Sequence, residues 1–230
     1  RERANLLRAI SHDLRTPLSG IMGSAEMLMD MTEKDDNRQK LLKGIYQDAD
    51  WLKSLVENIL SLTRLQDGKI LVHKEMEALE EVIACAVAHI EKNYPDREIQ
   101  VEIPEDFRMV PMDAKLIEQI ITNLLDNAVK HTTCEEAITV CVSYLPDKAQ
   151  VTVKDEGEGI AKEDEGNLFQ IFYTSKTRAA DVRKGIGLGL TICETVVNAH
   201  GGTITGRNRE DGKGAEFIFT LPLERKEESQ

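Results

Sequence analysis

The chain has 230 residues, 41% of them hydrophobic, and its 29 Lys and Arg side chains against 41 Asp and Glu give a formal net charge of −12 at pH 7. This composition is typical of a globular protein with one or two domains, and the acidic balance argues against broad binding to nucleic acid or to an anionic membrane surface. No apolar run reaches the roughly 18 residues of a membrane-spanning helix, and the N-terminus lacks the apolar core of a signal peptide.

The cysteines and the first residue lead to expectations about the cellular compartment and about the longer protein. Cys85, Cys134, Cys141 and Cys193 lack the paired spacing of a metal site, which predicts reduced thiols in an intracellular protein rather than a disulfide framework. The chain begins with Arg1 instead of Met. We therefore expect an excised cytoplasmic segment of a longer protein, with any membrane-spanning part lying upstream.

Residues 1–66 are electrically balanced, so the whole net charge falls on residues 67–230. On either side of the polar connection 32–37, apolar residues recur at steps of three and four, which predicts two long helices, the first over about residues 2–30. The first stripe is Leu6, Ile10, Leu14, Leu18, Ile21, Ala25 and Leu28, and the second is Leu41, Ile45, Ala49, Leu52, Val56, Ile59 and Leu62. Two such helices cannot cover their apolar faces alone, so we expect a hairpin that pairs with a second copy in a four-helix bundle.

Residues 67–230 alternate strand-like runs with helical patterns. Strands are predicted at residues 99–103, 137–144, 149–155, 202–207 and 215–221, and helices at about 78–93, 113–131 and 187–199. Because strands and helices do not alternate strictly, we predict the α+β class, with one sheet covered by helices on one face, and not a doubly wound sheet. The change in composition predicts two domains, residues 1–66 and residues 67–230.

The first chemical candidate is a histidine on the first helix. His12 lies about 200° around the helix from its apolar neighbours, so its ring points to solvent. A neutral imidazole is a nucleophile near pH 7, Asp13 can orient it or take its proton, and Thr16, one turn further on, can position a water. Pro17 loosens the helix there because it removes a backbone donor. The alternative is an ordinary surface histidine near a kink.

A second candidate lies on the helix predicted over residues 113–131. Asn123 and Asn127 are four residues apart and share one face, with Lys130 a further turn along. Amide oxygens can bind Mg²⁺, and a lysine beside them can neutralise phosphate charge. The pair could equally be the polar edge of a surface helix. The inward face is predicted to hold Leu116, Ile120, Leu124 and Ala128.

Two glycine-rich runs are suited to phosphates. Asp155, Gly157 and Gly159 follow a predicted strand, where glycines let backbone amides approach a ligand and Asp155 can accept a base amino group. The second run opens the last helix, whose N-terminus favours an anion. It consists of Gly185, Gly187, Gly189 and Leu190. It is not a dinucleotide-binding fingerprint, because Leu190 stands where that pattern needs Gly, and either run alone could mark only a turn.

Taken in order, these motifs resemble those of the sensor histidine kinases of two-component systems over essentially the whole chain. Residues 11–17, 123–131, 155–160, 168–172 and 185–190 resemble the phosphoacceptor box, the N box, the first glycine box, the F box and the second glycine box of that family. The runs at residues 4–8 and 79–82 are similar to the potassium-responsive branch of the family.

The resemblance implies a dimeric helical domain carrying the acceptor His12, followed by an ATP-binding domain of the Bergerat type, an α/β sandwich shared with gyrase, Hsp90 and MutL. It implies that Asn127 binds Mg²⁺, that Asp155 binds and recognises the adenine base, and that residues 161–186 form a lid over the phosphates. The other residues assigned to the ATP site are Asn123, Lys130, Gly157, Gly159, Phe172, Gly185, Gly187, Gly189 and Leu190.

The resemblance also implies a partner protein, and the sequence differs from the family pattern at two positions. His12 would pass its phosphoryl group to an aspartate of a separate response regulator, and Thr16 with Asp13 suggests the reverse phosphatase activity. His131 stands where the family commonly has Tyr, and Ala215 where Thr is common, so nucleotide affinity could differ.

Two other classes remain open at this point. One is a Bergerat-type ATPase that drives conformational change, which the amide at Asn123 disfavours because hydrolytic relatives carry a carboxylate there. The other is a scaffold that only dimerises and binds a regulator, which the intact Asn127, Asp155 and second glycine box disfavour.

Overall fold

The computed structural model describes residues 18–32, 38–39, 41–46, 49, 52, 56, 72–164, 166–170 and 189–223. The chain divides into two compact units, of which the first contains the described residues up to 56 and the second those from 72 onward. Residues 2–17 of the predicted first helix lie outside the described residues, as do Ile59 and Leu62 of the second apolar stripe. The proposed domain boundary at residue 66 stays a prediction.

The first unit contains two helical segments, α1 (residues 18–30) and α2 (the described helical residues 38–39, 41–46, 49, 52 and 56). Leu18 of α1 forms a buried cluster with Ala49 and Val56 of α2, and Met22 and Leu52 pack against it. This packing agrees with the predicted hairpin. Other members of the two predicted stripes are exposed in the single chain, namely Ile21, Leu28, Leu41 and Ile45.

The second unit contains seven strands and three helices within its described residues. In chain order they are β1 (Glu75–Ala78), α3 (Leu79–Asn93), β2 (Ile99–Glu102), β3 (Met109–Met112), α4 (Ala114–His131), β4 (Ile138–Tyr144), β5 (Lys148–Asp155), α5 (Gly189–Ala199), β6 (Ile204–Asn208) and β7 (Ala215–Pro222). Five strands form one mixed sheet in the order β2-β4-β5-β7-β6, in which only β2 and β4 are parallel.

Alternation along the central strands makes one face of this sheet apolar. Val140, Val153 and Phe217 lie side by side across β4, β5 and β7, and all three are almost fully buried. Helix α4 packs on this sheet and contributes the fully buried Ile120 and Leu124. The predicted α+β class, with helices packed on a sheet, is confirmed.

The structure also adds two strands that the sequence patterns did not predict. β1 and β3 pair antiparallel in a separate two-stranded sheet, with Met76 opposite Pro111. Each strand has only four residues, and a proline is normally a sign against a strand because it cannot donate to the ladder.

The buried face of α4 differs slightly from the predicted one. Leu116 is only half-buried, and Ile117 is fully buried in addition to the other predicted inward residues. Within the described part of the chain, no helix has the length and apolar character needed to cross a membrane.

Candidate functional site

Asp155, at the end of β5, is a buried acidic group of the second unit. Its side chain is 4% exposed, and Oδ1 accepts hydrogen bonds from the backbone N–H of Gly157 (2.9 Å) and of Ala215 (3.2 Å). Burial raises the pKa of Asp155, although both backbone bonds and the charges of His131 and Arg209 act in the opposite direction. Because both bonds fix Oδ1, the carboxylate has one orientation and its Oδ2 is the oxygen left to accept a hydrogen bond from a ligand.

The backbone around Asp155 is packed so closely that three positions admit only glycine. A Cβ on Gly157 would collide with the carbonyl oxygen of His131, the last residue of α4. Gly214 has φ +107°, and a Cβ there would collide with the carbonyl oxygen of Asp155. Gly159 also has a positive φ, of +79°. The glycines therefore bring α4, the loop after β5 and the turn before β7 together around the carboxylate.

Two residues that the sequence patterns missed hold this loop in place. The side chain of Asn208, at the end of β6, accepts from the N–H of Ile160 (2.7 Å) and donates to the carbonyl of the same residue (2.9 Å). Arg209 donates to the carbonyl of Asp155 at 3.3 Å and to Asp211 Oδ1 at 3.0 Å. Nothing local in the sequence predicts these contacts with the loop, because Ile160 and Asp155 lie about fifty residues earlier in the chain.

The N-box amides lie on α4, beside its buried face. Asn123 and Asn127 are both half-buried. Asn123 Nδ2 is buried and makes no hydrogen bond within the described residues. Burial raises the pKa of the Cys193 thiol to about 12, and the Asn123 side chain beside it acts in the opposite direction. The sulfur is a protonated thiol, so any contact of the amide with it is a weak hydrogen bond that falls outside ordinary geometry. A buried amide without a good partner is costly, and a bound ligand would remove that cost.

Lys130 is held by a neighbour on its own helix. Its ammonium pairs with Asp126 four residues earlier, and the Tyr94 hydroxyl donates to the other oxygen of that carboxylate at 2.9 Å. The ion pair is partly exposed, and such pairs contribute less than about 1 kcal/mol. The binding of phosphate by Lys130 stays a prediction. It is compatible with this ion pair, because so weak a pair can be broken at small cost when an anion binds.

The remaining predicted site residues fall into two groups. Gly189 and Leu190 begin α5, and a Cβ added at Gly189 would meet no atom of the described residues within 4 Å. The others lie outside the described residues, namely His12, Asp13, Thr16, Phe172, Gly185 and Gly187. Among the described residues, the structure thus joins the N box to the first glycine box through His131 and Gly157.

The described residues are suited to a nucleotide with Mg²⁺. Asp155 offers a fixed acceptor for a base amino group, and the orphaned Asn123 amide is a donor that a ligand could satisfy. Asn127 supplies an amide oxygen of the kind that Mg²⁺ accepts, and this ion usually keeps few protein ligands besides phosphates and water. The donor and acceptor set therefore fits ATP with Mg²⁺.

Two protein-family profiles match the chain in sequence. Residues 2–68 match the His Kinase A (phospho-acceptor) domain. Residues 112–225 match the histidine kinase-, DNA gyrase B- and HSP90-like ATPase. The second range contains α4, the loop after β5 and the turn before β7, which are the elements that meet at Asp155.

The chain is also similar to curated sensor proteins. It is 43% identical to the sensor protein KdpD of Clostridium acetobutylicum over 97% of this chain, and 36% identical to KdpD of Escherichia coli over 96% of it. These alignments cover 25% and 24% of the two relatives, so the chain spans about a quarter of their length. KdpD is the branch that the runs at residues 4–8 and 79–82 indicate.

Solved structures give the same result. Full-length ShkA in complex with AMPPNP aligns with a TM-score of 0.73 and 26% identity, over 95% of this chain and 46% of that one. The catalytic domain of histidine kinase ThkA aligns with a TM-score of 0.56 and 29% identity, over 65% of this chain and 95% of that one. With both family profiles in order along one chain, this protein belongs to the sensor histidine kinases and has the catalytic core of a KdpD-like member.

Proposed function

We propose that this core phosphorylates His12 from ATP and Mg²⁺ and passes the phosphoryl group to an aspartate of a response regulator. The observation that carries the proposal is the fixed, buried Asp155 beside the N-box helix, in a chain whose N-terminal part matches a phosphoacceptor domain. ATP binding is supported by the match to the ATPase family and by the AMPPNP bound to the ShkA relative.

In the proposed first step, a ring nitrogen of His12 attacks the γ-phosphorus of ATP. A nitrogen–phosphorus bond forms, the bond from the γ-phosphorus to the bridging oxygen breaks, and ADP leaves with that electron pair. Asp13 orients the imidazole or accepts the proton that the ring loses. Asn123 is an amide and cannot deprotonate water, so the site favours transfer to His12 over hydrolysis of ATP.

Binding would be divided among the described groups. Asp155 accepts from the adenine amino group, while Lys130 and the N-terminus of α5 take phosphate charge. Asn127 would hold Mg²⁺, which when bound offsets the charge on the leaving diphosphate. The other site positions, namely Phe172, Gly185, Gly187 and Leu190, would belong to the lid and its end.

We also propose a homodimer through residues 1–66 as the form that acts. The exposed stripe residues Ile21, Leu28, Leu41 and Ile45 support this, because burying them against a second hairpin would remove apolar surface from water. The regulator would contact the helices near His12. The chain would serve as the cytoplasmic segment of a longer, membrane-bound sensor, as the length of the KdpD relatives suggests.

Mixing the chain with Mg²⁺ and γ-labelled ATP is expected to give an acid-labile, alkali-stable phosphoprotein, and His12→Gln should abolish the label. The exposed His73 provides a matched control, since His73→Gln should be labelled like the wild type. Label that survives in His12→Gln would refute His12 as the acceptor. Steady release of phosphate without labelled protein would instead indicate an ATPase.

Thr16→Ala is expected to separate two activities. Thr16 follows His12 by four residues, which is one turn of the helix predicted there, so its hydroxyl would position a water but take no part in the attack on ATP. We expect unchanged labelling of His12 and about tenfold slower dephosphorylation of the phosphorylated regulator. The measurement is the decay of labelled regulator after ATP is removed. An equal loss of both activities would contradict this division of roles.

A further inference from the structure

His200, the residue that follows α5, is buried in the second unit and joins three segments. It is 1% exposed. Its Nδ1 lies 2.8 Å from the carbonyl oxygen of Val196, its Nε2 accepts from the backbone N–H of Asp113 at 3.1 Å, and its own carbonyl accepts from the Lys74 ammonium at 2.9 Å. No role for His200 follows from the proposed reaction itself.

These contacts fix the protonation state of the ring. A carbonyl oxygen can only accept, so Nδ1 must carry a hydrogen, and a backbone N–H can only donate, so Nε2 must be bare. The ring is therefore the neutral Nδ1–H tautomer. Burial lowers the pKa of His200, and Lys74 lowers it further, while the bond to Val196 and the charge of Asp113 act in the opposite direction. Lys74 and Asp113 are the charged groups that act on the ring.

The two helices that meet at this ring are the ones that carry the proposed nucleotide site. Asp113 is the N-cap of α4, and its carboxylate accepts from the N–H of Leu116 at 3.3 Å. The same helix carries Asn123 and Asn127 further along. Helix α5 begins at Gly189, in the second glycine box, and ends beside His200. The bond from Asp113 to His200 therefore connects the start of α4 to the end of α5.

We propose that neutral His200 is a positioning residue for the nucleotide site, which locks α4 to α5 through the Asp113 N–H and releases them when it is protonated. This inference rests on the proposed function. A protonated ring carries a hydrogen on Nε2, which would face the N–H of Asp113, so that bond cannot survive protonation. Lys74, just before β1, connects the beginning of the second unit to the same residue, because its ammonium donates to the carbonyl oxygen of His200.

The sign of the pH effect follows from linkage. In the unfolded chain His200 takes up a proton near its ordinary pKa of about 6.5, whereas the native ring resists protonation. The contribution of His200 to the free energy of unfolding is therefore constant above that pH. It falls as the pH drops toward the lower native pKa, because the unfolded state then binds more protons than the native state. Nucleotide affinity should fall only when the native ring itself is protonated, at a still lower pH.

Two substitutions test the lock. His200→Gln keeps an acceptor oxygen near the place of Nε2, whereas His200→Asn keeps a donor toward Val196 but is too short to reach Asp113. The readout is calorimetric binding of AMPPNP with Mg²⁺ between pH 5 and 8. At pH 7.5 we expect His200→Asn to bind about tenfold more weakly, and His200→Gln to bind within about threefold of the wild type. His73→Gln, an exposed histidine in the same segment as Lys74, should match the wild type.

The pH profiles separate positioning from simple stabilisation. Protonation of the ligand phosphates affects all variants equally, so an extra loss of affinity at low pH in wild type and His73→Gln, absent from His200→Gln, supports the lock. An unchanged affinity in His200→Asn would overturn it, as would the same profile in His200→Gln and wild type at a pH where NMR shows the wild-type ring to be protonated. Nitrogen NMR of the His200 ring tests the tautomer without nucleotide, and an Nε2–H ring or an ordinary pKa would also overturn it. Failure of every protein, wild type included, to bind AMPPNP would instead refute the proposed function.

Discussion

Asp155→Asn is expected to abolish nucleotide binding without lowering the free energy of unfolding. The amide oxygen of Asn can still accept from the N–H groups of Gly157 and Ala215, so the local structure should persist. Its other atom, however, becomes an NH₂ group that cannot accept from an adenine amino group. Since a site built around one buried hydrogen bond rejects a mismatched group strongly, we expect at least about a hundredfold loss of AMPPNP affinity by calorimetry.

The stability of this variant should depend on pH in a definite direction. Because burial raises the native pKa of Asp155, the stability that it contributes is complete below the ordinary pKa and is lost as the pH rises through the native value. At pH 7 the ionised carboxylate of Asp155 therefore lowers the free energy of unfolding, whereas a neutral Asn side chain does not. Urea titration should show Asp155→Asn at least as stable as wild type at pH 7, with the difference shrinking in acid.

A matched substitution separates charge from position. Asp147 lies exposed in the turn between β4 and β5, and Asp147→Asn should change neither AMPPNP affinity nor the free energy of unfolding by more than about 0.5 kcal/mol. Asp155→Asn that binds AMPPNP like wild type would rule out the base-reading role. Asp155→Asn that is clearly less stable would show that the carboxylate is structural.

The fold of the second unit could be predicted wherever a pattern is local. Helices α3 and α4 and the five strands of the mixed sheet follow from periodicity within their own residues, and their observed bounds differ from the predicted ones by one or two residues. β1 and β3 could not be predicted in this way. Glu75 pairs with Met112, so these four-residue strands exist because of a partner more than thirty residues away, and Pro111 argues against one of them.

The same distinction applies to the site. Asp155 and its glycines follow one another in the sequence, so their pattern can be read directly. Asn208 and Arg209 act on residues about fifty positions earlier, and only the pairing of β6 with β7 brings them there. The ion pair of Asp126 with Lys130 is a different case, since the two residues lie four apart on one helix, but the sequence patterns indicated phosphate binding by Lys130 and did not predict the pair.

Gly214→Ala is expected to be the most damaging single-methyl change at the site. The residue has φ +107°, which a residue with a Cβ rarely adopts, and the new methyl group would collide with the carbonyl oxygen of Asp155. Backbone strain and overpacking together should lower the free energy of unfolding by about 2–4 kcal/mol. Relief of the collision would move Asp155 itself, so AMPPNP affinity should fall with stability.

The turn that contains Gly214 provides its own control. Gly212 lies two residues earlier, and the nearest atom to a Cβ added there is Arg209 Nη2 at 3.5 Å, an ordinary contact with a flexible side chain. Gly212→Ala should therefore stay within about 0.5 kcal/mol of wild type and keep its affinity. Urea titration and AMPPNP calorimetry on both variants give the comparison. Both variants add one methyl group to the same turn, so they differ only in its position. Equal effects of the two substitutions would therefore contradict the conclusion that the close approach of Gly214 to Asp155 holds the carboxylate in place.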